Sequence, residues 1–106
     1  MQRLFLILIL STVGFIAGCA SPGREYWGAT HRTVEIDGRR YEVYANLDEA
    51  RPRVQVIRMG YARRPEHVAI LPAMVQAAEQ ATGCRVVDRS AAGDSGVMTA
   101  RLTCPA

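Results

Sequence analysis

Apolar and polar residues alternate in two short stretches of this chain, at residues 34–36 and 41–43. An alternation with period two is typical of a strand that buries one of its faces. The dipeptide Asp37-Gly38 lies between the stretches and favours a two-residue turn of type I′. Such a turn pairs Ile36 with Arg39 and gathers four apolar side chains on one face: Val34, Ile36, Tyr41 and Val43. The pattern therefore predicts a half-buried hairpin.

A third strand is predicted at residues 53–59, which are rich in β-branched and apolar side chains. Its inward face stays undecided. Val54 and Val56 compete for that face with Ile57 and Met59, which lie on the opposite side of the same strand.

Apolar residues then recur at helical spacing: Leu71, Met74, Val75, Ala78 and Ala81. Gly83 is well placed to end this helix. Pro72 leaves two alternatives, because proline either disturbs a helix interior or occupies the first turn. We favour a helix over residues 66–82 with an irregularity near Pro72, and the alternative is a shorter helix that begins at Pro72.

Two more strands are predicted at residues 84–88 and 97–103, joined by a connection that is rich in turn residues. We expect a hairpin centred on Asp94. In that register Cys84 faces Cys104, and the following facing pairs are Val86 with Leu102, Asp88 with Ala100 and Ser90 with Met98. Most apolar residues of the hairpin then share one side.

The element order is therefore β-β-β-α-β-β. It predicts an α+β domain of two layers over residues 31–106, with an antiparallel sheet of about five strands and one helix packed on one face. A chain of 106 residues allows one domain.

The beginning of the chain has the pattern of a targeting segment. One arginine, Arg3, precedes an unbroken apolar run at residues 4–10, and small residues follow. The run is too short for a permanent membrane-spanning helix, which needs roughly 20 residues. It ends at the sequence Ile16-Ala17-Gly18-Cys19.

These four residues resemble the lipobox of bacterial lipoproteins, an aliphatic residue and two small residues before a cysteine. The resemblance implies that residues 1–18 are a signal peptide, cut between Gly18 and Cys19. It also implies that the Cys19 thiol carries a diacylglyceryl group, so membrane lipid is a partner. In the enterobacterial type of lipoprotein sorting, which this sequence resembles, Ala20 in place of aspartate implies the outer membrane. The alternatives are an uncleaved anchor or an ordinary signal peptide with a chance cysteine.

Residues 19–30 are small, polar and turn-rich and predict a tether. Tyr26 and Trp27 interrupt this composition. We expect these rings to pack onto the edge of the domain, and the alternative is a position at the membrane interface.

Cys84 and Cys104 remain once Cys19 is assigned to lipid. The space outside the inner membrane is oxidising, and the hairpin register makes the two cysteines facing residues. The sequence thus predicts a structural disulfide. Redox or metal chemistry is the weaker alternative, because the spacing is not C-x-x-C and no histidine cluster lies near.

Composition and charge exclude few partners. The thirteen basic residues are all arginine, and the net charge is +3. Removal of the signal peptide leaves twelve arginines against ten acids, or +2. This balance gives no strong field for nucleic acid.

The candidate catalytic groups are sparse. His67 follows Glu66 at the predicted helix start, and the stretch Gly93-Asp94-Ser95-Gly96 superficially resembles a protease nucleophile motif. We expect His67 to face solvent and Ser95 to fill a hairpin turn, with no histidine placed to activate it. A catalytic interpretation would need His67, an acid and Ser95 within hydrogen-bond reach. The sequence therefore predicts a non-enzymatic chain without metal or cofactor.

The remaining binding candidates are arginines around the third strand. Arg58, Arg63 and Arg64 form a loose basic cluster with Arg51 and Arg53. They could contact lipid head groups or an acidic protein face. Interspersed acids favour a solvated, internally neutralised surface instead.

The last third of the chain resembles short uncharacterised proteins of alphaproteobacteria, which have no activity to carry over. The resemblance lies in the residues 77–87, in Gly93-Asp94 and in the closing Leu102-Thr103-Cys104. From the lipid anchor, the small size and the absence of a catalytic motif, we expect a small outer-membrane lipoprotein of the cell envelope that faces the periplasm and contacts another, unidentified envelope protein. The alternative is a small periplasmic ligand-binding or inhibitor domain.

Overall fold

A computed structural model describes residues 21–105 as an α+β domain, with one helix packed against a curled antiparallel sheet. The strand order is β1-β2-β3-β6-β4, and β5 pairs with β6. This confirms the predicted fold class. The elements are β1 Thr30–Ile36, β2 Arg39–Ala45, β3 Arg53–Arg58, α1 His67–Thr82, β4 Arg85–Val86, β5 Ala92–Gly93 and β6 Val97–Thr103.

The first hairpin has the predicted register. Ile36 pairs with Arg39, and Val34 pairs with Tyr41. Asp37 has φ 51° and Gly38 has φ 79°, so both turn residues adopt the left-handed conformation that a type I′ turn requires. The twist of this turn matches that of the strands, which is why the two residues fix the pairing of the whole hairpin.

The third strand is buried from both sides, which resolves its undecided face. Val54 and Val56 are fully buried and belong to the core beneath the helix. Gln55 and Ile57 point the other way and are also buried. The segment before β1 lies against this second side, because the backbone N–H of Gly23 donates to Gln55 Oε1 at 2.8 Å. Both faces of β3 are therefore covered.

Helix α1 runs through Pro72 without a break, so the longer of the two predicted helices is correct. Proline cannot donate to the carbonyl one turn earlier, that of Val68. That side of the helix is open to water, and Val68 is 84% exposed. Gly83, with φ 73°, ends the helix as predicted and donates its N–H to the Glu79 carbonyl at 2.9 Å.

The buried side of α1 is rotated by about one residue from the predicted stripe. Its buried members are Ile70, Met74, Ala77 and Ala78. Leu71, which we placed in the core, is 39% exposed. Alanines at two of the four positions let the helix lie close to the sheet.

The register of the last hairpin was only partly right. Val86 pairs with Leu102 as predicted, but β5 pairs Gly93 with Met98. The predicted facing pairs of Asp88 with Ala100 and of Ser90 with Met98 are wrong. Residues 87–91 leave the ladder as a bulge, and the turn is centred between Ser95 and Gly96 rather than on Asp94.

Gly93 makes this shift possible. Its φ is 117°, and a Cβ at this position would lie 2.2 Å from the Val97 carbonyl oxygen. Only glycine allows the two backbones to approach so closely.

Cys84 and Cys104 are joined in a disulfide, with their Cα atoms 4.3 Å apart. The bond ties the end of α1 to the end of β6. This confirms the predicted cysteine pair.

Candidate functional site

Gly18 and Cys19, the predicted cleavage and lipidation residues, lie outside the described residues. Among residues 21–105, no helix is long and apolar enough to cross a bilayer. The segment at residues 21–29, which precedes β1, is bound to the sheet.

Three hydrogen bonds hold this segment on the sheet face opposite α1. Besides the bond from Gly23 to Gln55, the Tyr26 hydroxyl donates to the Val54 carbonyl at 3.3 Å. The side-chain Nδ2 of Asn46 donates to the backbone carbonyl of Glu25 at 2.8 Å. Tyr26 is 1% exposed but is not part of the core under the helix. The described part of the predicted tether, from residue 21 onward, is therefore fixed on the back of the sheet.

Trp27 does not follow Tyr26 into the domain. Its side chain is 68% exposed, and the Arg24 guanidinium lies 5.9 Å from the ring centroid. An exposed indole beside a cation has an apolar body and a polar rim.

The predicted arginine cluster is divided between two ends of the sheet. Arg63 and Arg64 are exposed just before α1. Arg58 is half-buried near the same end, and its Nε and Nη1 atoms find no hydrogen-bond partner among the described residues. Arg51 and Arg53 lie at the other end of β3. The five residues do not form one surface.

A different arginine cluster forms where β3 meets β6, which we call the arginine groove. Arg51, Arg53 and Arg101 line it together with Ser90 and Thr99, around a cavity of about 370 Å³. Arg53 lies directly opposite Arg101 in the ladder. Like charges in facing positions destabilise a sheet unless an anion lies between them.

No ion pair among residues 21–105 involves the groove arginines, but Arg53 is hydrogen-bonded to the Tyr26 hydroxyl, and the charges of Glu25 and Glu49 also act on that hydroxyl. The ion pairs found within residues 21–105 are His31 with Glu42 and Arg39 with Glu66, and neither reaches the groove. Sequence reasoning missed this site, because Arg101 joins it only through the pairing of β3 with β6. Ser90 fixes its wall, since its hydroxyl oxygen accepts the backbone N–H of Arg101 at 3.1 Å.

His67 and Ser95 are brought together, which corrects two predictions. His67 does not simply face solvent: its Nδ1 is hydrogen-bonded to the Ser95 hydroxyl. Its Nε2 lies 3.0 Å from the Ala62 carbonyl oxygen. Because a carbonyl can only accept, Nε2 carries a proton, and in the neutral ring Nδ1 accepts from Ser95. The histidine thus has the tautomer that a general base would need.

The acid of a catalytic triad is not in place. Asp94 is adjacent to Ser95 in sequence, but its Oδ1 accepts the backbone N–H groups of Val97 at 3.0 Å and Gly96 at 2.7 Å. These backbone hydrogen bonds hold the pKa of Asp94 below its usual value. The Asp94 carboxylate therefore stabilises the turn before β6, and these hydrogen bonds go to the backbone of that turn rather than to His67. The His67–Ser95 hydrogen bond joins the start of α1 to the turn before β6, so we interpret it as a structural brace between these two elements.

A second polar cluster lies on β1 and β2, where Glu42 Oε2 is 2.5 Å from His31 Nε2 and accepts from the Thr33 hydroxyl at 2.7 Å. The His31 ring stacks on Tyr44 with centroids 4.4 Å apart. Burial raises the pKa of Glu42, but the hydrogen bonds from Thr33 and His31 outweigh it and leave the pKa lowered. Within residues 21–105 no three His, Cys, Asp or Glu side chains are grouped so that they could hold a metal ion.

Comparison with protein-family models, with curated proteins and with solved structures finds no match to this chain.

Proposed function

We propose that the chain is a lipid-anchored protein of the bacterial cell envelope, held at the outer membrane by acyl chains on Cys19 and facing the periplasm. The observation that carries the proposal is the lipobox match at residues 16–19, preceded by an arginine and an apolar run. Each buried methylene contributes about 0.8 kcal/mol, so two or more chains give stable anchoring. The Cys84–Cys104 bond supports an oxidising compartment.

Replacing Cys19 tests the anchor. We expect Cys19→Ala to abolish palmitate incorporation and to leave a full-length precursor, since both lipid transfer and the cleavage require this thiol. Cys84→Ala, expressed and labelled in parallel, controls for the loss of any cysteine. Palmitate labelling that persists in Cys19→Ala would refute the anchor.

For the task of the domain we propose contact with another envelope protein through the outer side of α1. Val68, Leu71 and Pro72 have the spacing i, i+3 and i+4, so they share one helix face, and all three are exposed. Tyr61, 86% exposed, precedes them in the chain. A group of exposed large apolar side chains is typical of protein contact sites.

Charge defines the partner further. Arg64 and its neighbour Arg63 are exposed just before this apolar face. The complementary surface is an apolar groove with an acidic rim on a second protein.

Site-specific cross-linking tests this contact in intact cells. A photoreactive residue in place of Val68 should give one discrete adduct, and the same probe in place of Arg32, exposed on β1, should give none. Reversal of both rim charges, by Arg63→Glu with Arg64→Glu, should remove the adduct because the partner surface is acidic. Equal adducts from both probe positions, or an adduct indifferent to the reversal, would exclude this surface.

One observation favours the alternative of a small ligand-binding domain, namely the arginine groove, which has the charge to hold an anion. We assign no catalytic role to His67 and Ser95, because the second ring nitrogen of His67 meets a carbonyl and not an acid.

A further inference from the structure

We propose that the sheet face opposite α1 lies on the membrane surface, and that the arginine groove there binds the phosphate of a phospholipid head group. The inference rests on the proposed anchor at Cys19. It adds which side of the domain meets the bilayer and which residues hold it there.

The path of the chain sets the orientation. Gly23 is hydrogen-bonded to Gln55 in the middle of the sheet face opposite α1. Cys19 precedes Gly23 by four residues. Four residues span at most about 14 Å even when fully extended. Acyl chains on Cys19 therefore hold this face near the head groups, while α1 and its exposed apolar side point away from the bilayer.

The arginine groove opens on the same side of the sheet. Val54, Ala100 and Leu102 belong to the core under the helix. Since side chains alternate along a strand, Arg53 and Arg101 project from the opposite face. The face brought to the membrane thus carries the facing guanidinium groups of Arg53 and Arg101, neither of which forms an ion pair within residues 21–105.

A phosphate fits this charge arrangement. Arginine binds phosphate oxygens through paired N–H donors, which makes it better suited to phosphate than lysine. A phosphate between Arg53 and Arg101 would also remove their mutual repulsion. The acids elsewhere on this face are partly neutralised: Glu42 is engaged by His31 and Thr33, and exposed Glu35 lies opposite Arg40 in the ladder.

Trp27 provides a second contact and a native reporter. It is the sole tryptophan of the chain, and its ring is exposed beside Arg24 at the end of the bound segment. Indole rings favour the interfacial region of bilayers. In the docked orientation Trp27 therefore lies at the level of the head groups.

The complete chain is expressed in a Gram-negative host, which can cleave and acylate it. The purified mature protein is then inserted into preformed vesicles of phosphatidylcholine and phosphatidylglycerol. The lipids are brominated near the head group, so that they quench a nearby indole. Flotation of the vesicles reports anchoring, and Trp27 fluorescence reports docking. The double variant Arg53→Gln with Arg101→Gln is compared with Arg63→Gln with Arg64→Gln, which removes the same charge at the start of α1.

We expect strong quenching in the wild type and in the Arg63/Arg64 variant. An arginine near an anionic surface contributes about a factor of five, so loss of Arg53 and Arg101 should weaken docking about 25-fold. The same variant must still float. Thermal midpoints check folding, and the single variant Arg51→Gln, at an exposed site, replaces the double variant if that variant is unstable.

The contrary outcomes are distinct. Protein that fails to float refutes both the anchor and this orientation. If the wild type floats but Trp27 is not quenched, the orientation alone is refuted. The same holds if both double variants float and lose quenching equally. Stabilisation of the wild type by inorganic phosphate, without docking on vesicles, would show that the groove takes a free anion.

Discussion

The disulfide gives the most direct test of how this small domain is held together. Cys84 and Cys104 close a loop of 20 residues at one end of the sheet. In the chain-entropy model, cross-linking a loop of this length stabilises the fold by about 3 kcal/mol at 25 °C. A domain below 100 residues shifts its Tm by about 4–8 °C for each kcal/mol. Removal of the bond should therefore lower the Tm by about 12–24 °C.

The perturbation is the double replacement Cys84→Ala with Cys104→Ala. Alanine avoids burying a hydroxyl at position 84, where the side chain is 5% exposed. Thermal unfolding followed by circular dichroism should show the lower Tm, and a reducing agent should produce a similar shift in the wild type but none in the double variant. If the reductant left the wild-type Tm unchanged, the bond would contribute nothing and the loop-entropy reasoning would fail.

Three other predictions concern single residues. Gly93→Ala should cost about 3 kcal/mol in denaturant unfolding, because the new Cβ meets the Val97 carbonyl. Gly60→Ala, with φ 84° and open space around it, should cost only about 1 kcal/mol; equal costs would contradict the contact. Ser95→Ala should cost about 1 kcal/mol by removing the brace to His67, and an unchanged unfolding free energy would exclude that role. The lowered pKa of Glu42 stabilises the fold above the unfolded pKa of about 4.3, and this stability is lost as pH falls through the folded pKa. Glu42→Gln should therefore flatten the stability profile between about pH 5 and 3, and a parallel profile would contradict the assignment.

Features fixed by neighbouring residues could be predicted from the sequence. The turn at Asp37-Gly38 determines the first hairpin, because two left-handed residues leave one register for the flanking strands. The end of α1 at Gly83 is equally local. The disulfide could be predicted for a related reason. The register near Cys84 and Cys104 is the part of the last hairpin that the sequence predicted correctly.

The misplaced features depend on contacts between distant segments. The bulge at residues 87–91 includes Arg89, which adopts the left-handed conformation with φ 63°. Arginine is not a residue type that favours this conformation, so the sequence gives no sign of it. The bond between His67 and Ser95 joins residues 28 apart, and the arginine groove requires β3 to pair with β6. An alternating pattern reveals which face a residue takes but not which strand lies beside it.

The segment before β1 connects the stability of the domain to its proposed orientation. Tyr26 is 1% exposed and is hydrogen-bonded to the back of β3, so releasing the segment would uncover Gln55. The same contacts determine where the chain leaves the sheet on its way to Cys19. Under the proposed anchor, a freely jointed linker would let every face of the domain meet the bilayer. A linker bound across the sheet leaves one face for lipid and, because α1 covers the other face, leaves the apolar helix side for a protein.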